Sequence, residues 1–387
     1  MEDYRHCKVL ITGATGFIGG RLAERLAFER HADLSILMRD WRHAVWVSRV
    51  PARLVEGDVT RPDSLFKAMD GCQVVFHCVG VGGNAETCRR VNVEGTLNVL
   101  HAAEQAGVER VVYLSSIAVH GPNLPDNADE SAAFVRTGDA YGDSKVGAEE
   151  AIASFARESR LPVVVLRPTF VWGPRSTWFT VNPARQIMAG SLRLVDQGLG
   201  TCHAVYVDNL VDAMLLAGLS PAAPGEAFFI TDDQPCTWGE FFLDYARMIG
   251  IHSLPSISSR RLQNHPLRRC DRRLKQIYDL LGNRMPHIEP LRFSFRGARF
   301  LIRQTRRILN ASTAFSDWDL IKYARRGRLN TSKARERLGY RPMISRLDGM
   351  HLTELWLRDQ GIIPPAAYPH GDFSVQEQPL VRTAASA

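Results

Sequence analysis

The 387-residue chain has no two cysteines at Cys-x-x-Cys spacing, since its seven cysteines, at 7, 72, 78, 88, 202, 236 and 270, are scattered through the sequence. That scatter excludes a zinc ribbon or a dithiol redox motif. It predicts buried, reduced thiols in a cytoplasmic protein, with no metal. No apolar stretch approaches the roughly 20 residues needed to cross a bilayer, which excludes an integral membrane protein. Met1-Glu-Asp-Tyr-Arg runs directly into the first apolar strand and leaves no room for a leader peptide, so cytoplasmic localisation is expected. The excess of basic residues is accompanied by no nucleic-acid-binding motif, and no nucleic-acid partner is expected.

What is present is a large apolar content, 45%, enough to bury a core of about two lobes. Apolar strand-like runs alternate with helical ones, which predicts an α/β fold with a parallel sheet covered by helices on both faces. The first unit is the most specific. Lys8-Val-Leu-Ile-Thr leads straight into glycines at 13, 16 and 19, and then into a helix beginning Arg21-Leu-Ala-Glu. The first glycine permits a tight turn, the second lets backbone approach a pyrophosphate, and the third lets helix and strand pack closely. The helix N-terminus then faces the phosphates. This is a dinucleotide-binding signature, and it predicts a Rossmann-type doubly wound sheet.

A second signal follows the strand Arg110-Val-Val-Tyr-Leu and the serines Ser115 and Ser116. Tyr141 and Lys145 stand four residues apart at the start of a helical run, which places both on one helix face. A phenol titrating near pH ~10 is a poor proton-transfer group at neutrality, but a neighbouring ammonium favours the phenolate. Tyr141 and Lys145 therefore read as a proton-transfer pair.

With these motifs the chain resembles the extended branch of the short-chain dehydrogenase/reductase superfamily, the epimerase, dehydratase and 3-beta-hydroxysteroid-dehydrogenase-like proteins. The resemblance covers roughly residues 7 to 252 and resumes at 325 to 360. It is carried further by Gly57-Asp58-Val59, Val91-Asn92-Val93-Glu94-Gly95, Leu166-Arg167-Pro168, Gly173-Pro174-Arg175, Tyr206-Val207-Asp208-Asn209 and Leu338-Gly339-Tyr340-Arg341-Pro342. The resemblance implies a cofactor-binding core over 1–175 that also holds the Ser/Tyr/Lys set. A substrate lobe is expected over 176–363, with core elements returning near 200–232, a basic insertion at 253–325 and a disordered tail at 364–387.

The resemblance also assigns roles. Ser116 would hydrogen-bond the reacting oxygen, with Ser115 as the nearby alternative, Tyr141 would move the proton, and Lys145 would hold the nicotinamide ribose. Asn92 matches a helix asparagine that supports the lysine, and reads equally as a cap. Gly13, Thr15, Gly16, Phe17, Ile18 and Gly19 would cradle the diphosphate, Asp58 and Val59 would border the adenine, Cys78-Val79-Gly80 would pass beneath the ribose and diphosphate, and Pro168 would also bind the cofactor. The residue ending the second strand selects the cofactor, because an acid there accepts the ribose hydroxyls of NAD while an arginine pairs with the extra phosphate of NADP. Here it is Arg39, followed by Asp40, so NADP is favoured, with NAD open through Asp40 in a shifted loop.

Departures from the family pattern bear on the substrate. Dehydratases place two acids after the catalytic Ser or Thr, where this chain has Ile117 and Ala118, so elimination lacks its proton donor. Nucleotide-sugar enzymes carry an asparagine at the position of Phe170 and an arginine at that of Cys202. With both replaced, and with Thr169, Phe170, Trp172, Trp178 and Phe179 nearby, a more apolar pocket is expected, although each aromatic also reads as core. The expected activity is NADP-preferring interconversion of a secondary alcohol and a ketone on a hydrophobic small molecule. The alternative is a sugar or nucleotide-sugar epimerase of the same superfamily. A homodimer is the candidate assembly.

Charge is uneven. Residues 260 to 307 hold 14 Lys and Arg against three acids, a local excess of +11 within a chain of net +7, which leaves the remainder at −4. Arg292, Arg296, Arg299, Arg303 and Arg306 recur at steps of three and four beside Leu291, Phe295, Ala298, Ile302 and Leu309, predicting a basic amphipathic helix. It reads as a wall of the substrate lobe or as a helix on an anionic membrane surface, a peripheral association through 260–309.

Overall fold

Six apolar runs near the start of the chain become parallel strands: β1 (Lys8–Thr12), β2 (Asp33–Met38), β3 (Arg53–Glu56), β4 (Val74–His77), β5 (Arg110–Leu114) and β6 (Val163–Pro168). A seventh, Ala227–Ile230, completes the sheet in the order Ala227–Ile230, β6, β5, β4, β1, β2, β3. The computed structural model describes residues 3–232, 234–263 and 317–365. Val9 pairs with Leu34 on one side and Val74 on the other, so the strand order reverses beside β1. At such a switch point the connections at the carboxyl ends of the strands diverge to opposite faces and leave a crevice.

Alternation along each strand builds two apolar layers. Val9, Ile11, Ile36, Val112 and Leu166 face helices Phe17–Glu24 and Val207–Leu219, while Leu10, Leu37, Val75, Val111 and Tyr113 face helices Gly95–Gln105 and Ala140–Glu158. All six residues of β6 are buried, as expected where helices cover both faces. A separate aromatic cluster lies beyond the sheet, where Trp172, Tyr206, Trp238, Phe241 and Tyr245 pack with Met350 and Leu357. Helix Trp238–Arg247 in that cluster starts with a capping box between Thr237 and Glu240. A small fourth cluster brings Val195, Leu262 and Leu320 together.

The predicted basic helix Leu291–Leu309 lies outside the described residues, as do most of the insertion and nearly all of the 364–387 tail. No described helix is long and apolar enough to cross a membrane. Among the described residues no three His, Cys, Asp or Glu side chains are grouped to hold a metal ion.

Candidate active site

The glycine loop sits at the crevice, and its shape demands glycine. Gly13 has φ +81°, and a Cβ there would lie 2.9 Å from the Cys78 carbonyl carbon. A Cβ on Gly19 would lie 2.5 Å from Gly13 O, so the helix could not close onto the loop. Two cavities open from this point. One, of about 230 Å³, is lined by Gly13, Thr15, Gly16, Arg39, Asp58, Val59, Cys78, Val79 and Gly80. The other, of about 750 Å³, runs from Gly13, Gly16, Phe17, Ile18 and Gly19 past Ser115, Ser116, Tyr141, Lys145 and Pro168 to Thr169 and Phe170. The cradle that any side chain would fill, continuous with both cavities, fits a dinucleotide lying across the switch point.

At the adenine end Arg39 is exposed and lines the smaller cavity, whereas Asp40 does not. Asp40 caps the short helix Trp41–Trp46, accepting from Arg42 N at 2.8 Å and from Arg42 Nε at 2.7 Å. The Asp58 carboxylate turns to Thr60, accepting from its N and Oγ1 at 2.8 and 2.9 Å.

Around the reacting end, the two serines divide. Ser115 Oγ donates to Glu149 Oε1, and Glu149 is held by Arg167 in an ion pair at 2.6 Å whose side chains are only 4% and 6% exposed. Arg167 also donates to Glu130 O at 2.9 Å and lies 3.2 Å from His120 Nε2. Ser116 caps the turn Ile117–His120, accepting from Ala118 N at 3.1 Å, and lines the same cavity as Tyr141. Burial raises the Tyr141 phenol above its ordinary range, and the Ser116 hydroxyl works against that rise.

Lys145 differs from the expected pairing. Its ammonium donates to Leu114 O at 2.8 Å and Tyr113 OH at 3.2 Å, so it is tied to β5 rather than to Tyr141. Burial draws it down to about 8, with Glu149 one helical turn on opposing that fall. Asn92 neither caps a helix nor touches the lysine. Its side chain clamps Val81, accepting from N at 2.9 Å and donating to O at 2.8 Å, and donates to Ser144 Oγ.

Sequence reasoning missed His77, because a single histidine in an apolar strand carries no spacing signal. Thr12 Oγ1 lies 2.7 Å from its Nδ1, and its Nε2 lies 3.1 Å from Thr96 Oγ1, which donates to Asn92 O. Burial holds this imidazole neutral by pushing it down to about 3. With Ser144 Oγ donating to Tyr141 O at 2.8 Å, a ladder of hydrogen bonds runs from the end of β1 to the backbone of Tyr141.

Two of the expected substrate residues are set apart from the cleft. Trp172 is fully buried among Tyr206 and Phe241, beneath Gly349, and forms core instead of wall. Cys202 is also fully buried and lies opposite Cys236 in a two-strand ladder, while its neighbours Thr201 and His203 reach the cleft. Thr169, Phe170 and the exposed Trp178 do line it.

Residues 10–259 match the model of the 3-beta hydroxysteroid dehydrogenase/isomerase family. The chain belongs to that family. It is 29% identical over 337 residues to a 3-beta-hydroxysteroid dehydrogenase of Mycolicibacterium neoaurum, covering 80% of this chain and 88% of the relative. It is 30% identical to a 2-alkyl-3-oxoalkanoate reductase of Stenotrophomonas maltophilia, over 63% of this chain and 76% of the relative. Among solved structures, the epimerase Mth375 of Methanothermobacter thermautotrophicus superposes with a TM-score of 0.68 at 20% identity, over 93% of this chain and 95% of the other. The UDP-glucuronic acid 4-epimerase of Bacillus cereus, solved with NAD, gives 0.68 at 16% identity over 91% and 99%. These structures share the Rossmann-like fold. As a member of this family the chain is an enzyme of the extended short-chain dehydrogenase/reductase type, an NAD(P)-dependent oxidoreductase.

Proposed function

We propose that this enzyme interconverts a secondary alcohol and a ketone on an apolar, lipid-like molecule, with Ser116, Tyr141 and Lys145 as its working residues. The observation that carries the reading is the convergence of these three side chains in one cleft that begins at the glycine cradle and ends among Phe170, Phe179 and Trp178. A nicotinamide dinucleotide in that cradle supplies hydride exchange. The chain's own residues do the rest. Ser116 holds the reacting oxygen by its hydroxyl, Tyr141 gives or takes the proton at that oxygen, and Lys145 holds the cofactor ribose. Glu149, itself held by Arg167, engages Ser115, which leaves Ser116 as the hydroxyl free to serve Tyr141.

The lipid-like substrate is supported by the apolar cleft and by relatives whose names specify a hydroxysteroid and an alkyl oxoalkanoate. Phe170 stands where nucleotide-sugar enzymes carry asparagine, which weighs against the epimerase alternative. NADP preference is supported by Arg39 facing the adenine-end cavity while Asp40 is engaged by Arg42. In this reading 1–175 binds cofactor and 176–363 shapes substrate.

The test follows nicotinamide absorbance of the purified protein against steroid, isoprenoid and sugar-nucleotide panels, with mass detection of isomers. Turnover with steroid or isoprenoid alcohols is expected, and isomerisation of sugar nucleotides without net change in cofactor would overturn the reading. A peripheral association with anionic membrane through 260–309 belongs to the same proposal. It predicts vesicle binding that falls steeply with salt, since screening shortens to about 3 Å at 1 M. Indifference to anionic vesicles at low salt removes it.

A further inference from the structure

Two cations enter the cleft from the lobe side, at a place where the sequence carries no motif. Lys322 lies near the end of helix Asp317–Ala324, and Arg325 directly follows it. Main chain fixes their position. Thr201 N donates to Arg325 O at 2.7 Å, and a Cβ on Gly200 would lie 1.8 Å from Tyr323 O, so the two segments meet only because residue 200 is glycine.

The cations are matched differently. Lys322 Nζ is 3.0 Å from Asp319 Oδ1 and 4.4 Å from the centre of the Tyr323 ring, so its charge is partly balanced by a carboxylate. Arg325 donates through Nε to Leu124 O at 3.1 Å and through Nη2 to Pro125 O at 3.4 Å. Among the described residues no carboxylate lies within ion-pair distance of it, and Asp126 acts on it only from farther away. Burial pulls its pKa down, yet a guanidinium stays charged in proteins. His203, also in the cleft, bonds Gly327 O, and burial lowers its pKa. Asp139, the carboxylate among the lining residues, is engaged in capping the helix that carries Tyr141.

A half-buried guanidinium held only by carbonyl oxygens, in a cleft walled by Leu124, Leu329 and Phe170, has its remaining donors suited to an oxyanion. We infer that the substrate is an anionic amphiphile: an apolar alcohol or ketone that carries an oxyanion, such as a carboxylate, away from its reacting carbon. Arg325 receives that group, with Lys322 adding positive potential. The inference rests on the reading of this cleft as the site of alcohol–ketone exchange, and names the substrate class more narrowly.

The experiment offers the full-length protein 3-hydroxysteroids bearing a side-chain carboxylate, their methyl esters, and phosphomonoesters on the same skeleton. It records kcat and KM with NADP, and separately Kd from quenching of tryptophan fluorescence. The parent should prefer acid to ester by tenfold or more in both kcat/KM and Kd. Arg325→Gln should cut that preference roughly ten- to a hundredfold, through KM and Kd and not through kcat, as expected for one charge-assisted contact. Arg325→Lys should restore much of it. Tighter binding of the phosphomonoester than of the carboxylate would identify the anion as a phosphate, still received by Arg325. Equal use of acid and ester by the parent overturns the inference, as does an acid preference untouched by Arg325→Gln, which would leave Arg325 as a brace for residues 124–125. Acids that bind with the expected preference while no alcohol or ketone is converted would keep the anion site and sink the oxidoreductase chemistry instead.

Discussion

The two ends of the cleft are built from different material. At the cofactor end the surface is main chain: Gly13, Gly16 and Gly19 shape it, and a side chain there would collide with Gly13 O or the Cys78 carbonyl. At the substrate end it is side chain, with Phe170 against Phe179 and Trp238, and Lys322 over the Tyr323 ring. A backbone surface can serve one ligand shape on many scaffolds, while a side-chain surface can be rewritten without disturbing the sheet. The groups proposed to react stand between, beside the buried Arg167–Glu149 pair that ties β6 to the helix Ala140–Glu158.

The sharpest way to probe this division is to remove chemistry without removing either surface. Tyr141→Phe should lower turnover by ~10²- to 10⁴-fold and leave cofactor affinity almost unchanged, as read by steady-state rates and cofactor titration. Activity within a few-fold of the parent would reassign the proton-transfer group. Next in size is the brace. Arg167→Met strands Glu149 in the core, and removal of one partner of a buried pair costs about 3–5 kcal/mol, measurable by urea unfolding. A loss below about 1 kcal/mol would mean that the two ends are not mechanically joined there.

At the cofactor end, Arg39→Ala tests whether one exposed side chain supplements the backbone cradle. NADP affinity should fall by about 1.5–3 kcal/mol with NAD nearly unchanged, by titration of both. Equal losses would point to Asp40 and the ribose instead. The smallest effect concerns proton linkage at Lys145. Its folded-state pKa is depressed to about 8 from the ordinary 10.5, so between those values the unfolded chain keeps a proton that the folded chain has released. This group's contribution therefore favours folding increasingly as pH rises through that window. The stability of the parent minus that of Lys145→Met should rise with pH there and be flat below it. A flat difference throughout would show that the ammonium is not desolvated.

The same division explains what could be read in advance. The glycine loop and the sheet were legible because their signals are local: strand, turn and helix follow one another within some twenty residues, and backbone rules fix what each must be. Tyr141 and Lys145 were legible by spacing, but the lysine's partners were not, since Tyr113 and Leu114 reach it from another strand. Phe170 and Trp172 looked alike in sequence. Only tertiary packing sends the first to the cleft and the second under helix Trp238–Arg247. Arg325 was invisible as a cleft residue because the contact that places it, to Gly200 and Thr201, spans more than a hundred positions.

Leu262, on the segment leading into the basic insertion, and Leu320, on the segment leading out, pack into one cluster with Val195. The described residues that flank the insertion are thus brought side by side. Closing a chain across a short gap costs only slightly less than across a long one, because the entropy grows with the logarithm of length. A brief glycine-serine connector in place of the stretch between should therefore cost little in closure entropy, and cofactor titration of that variant measures whether the cradle is independent of it.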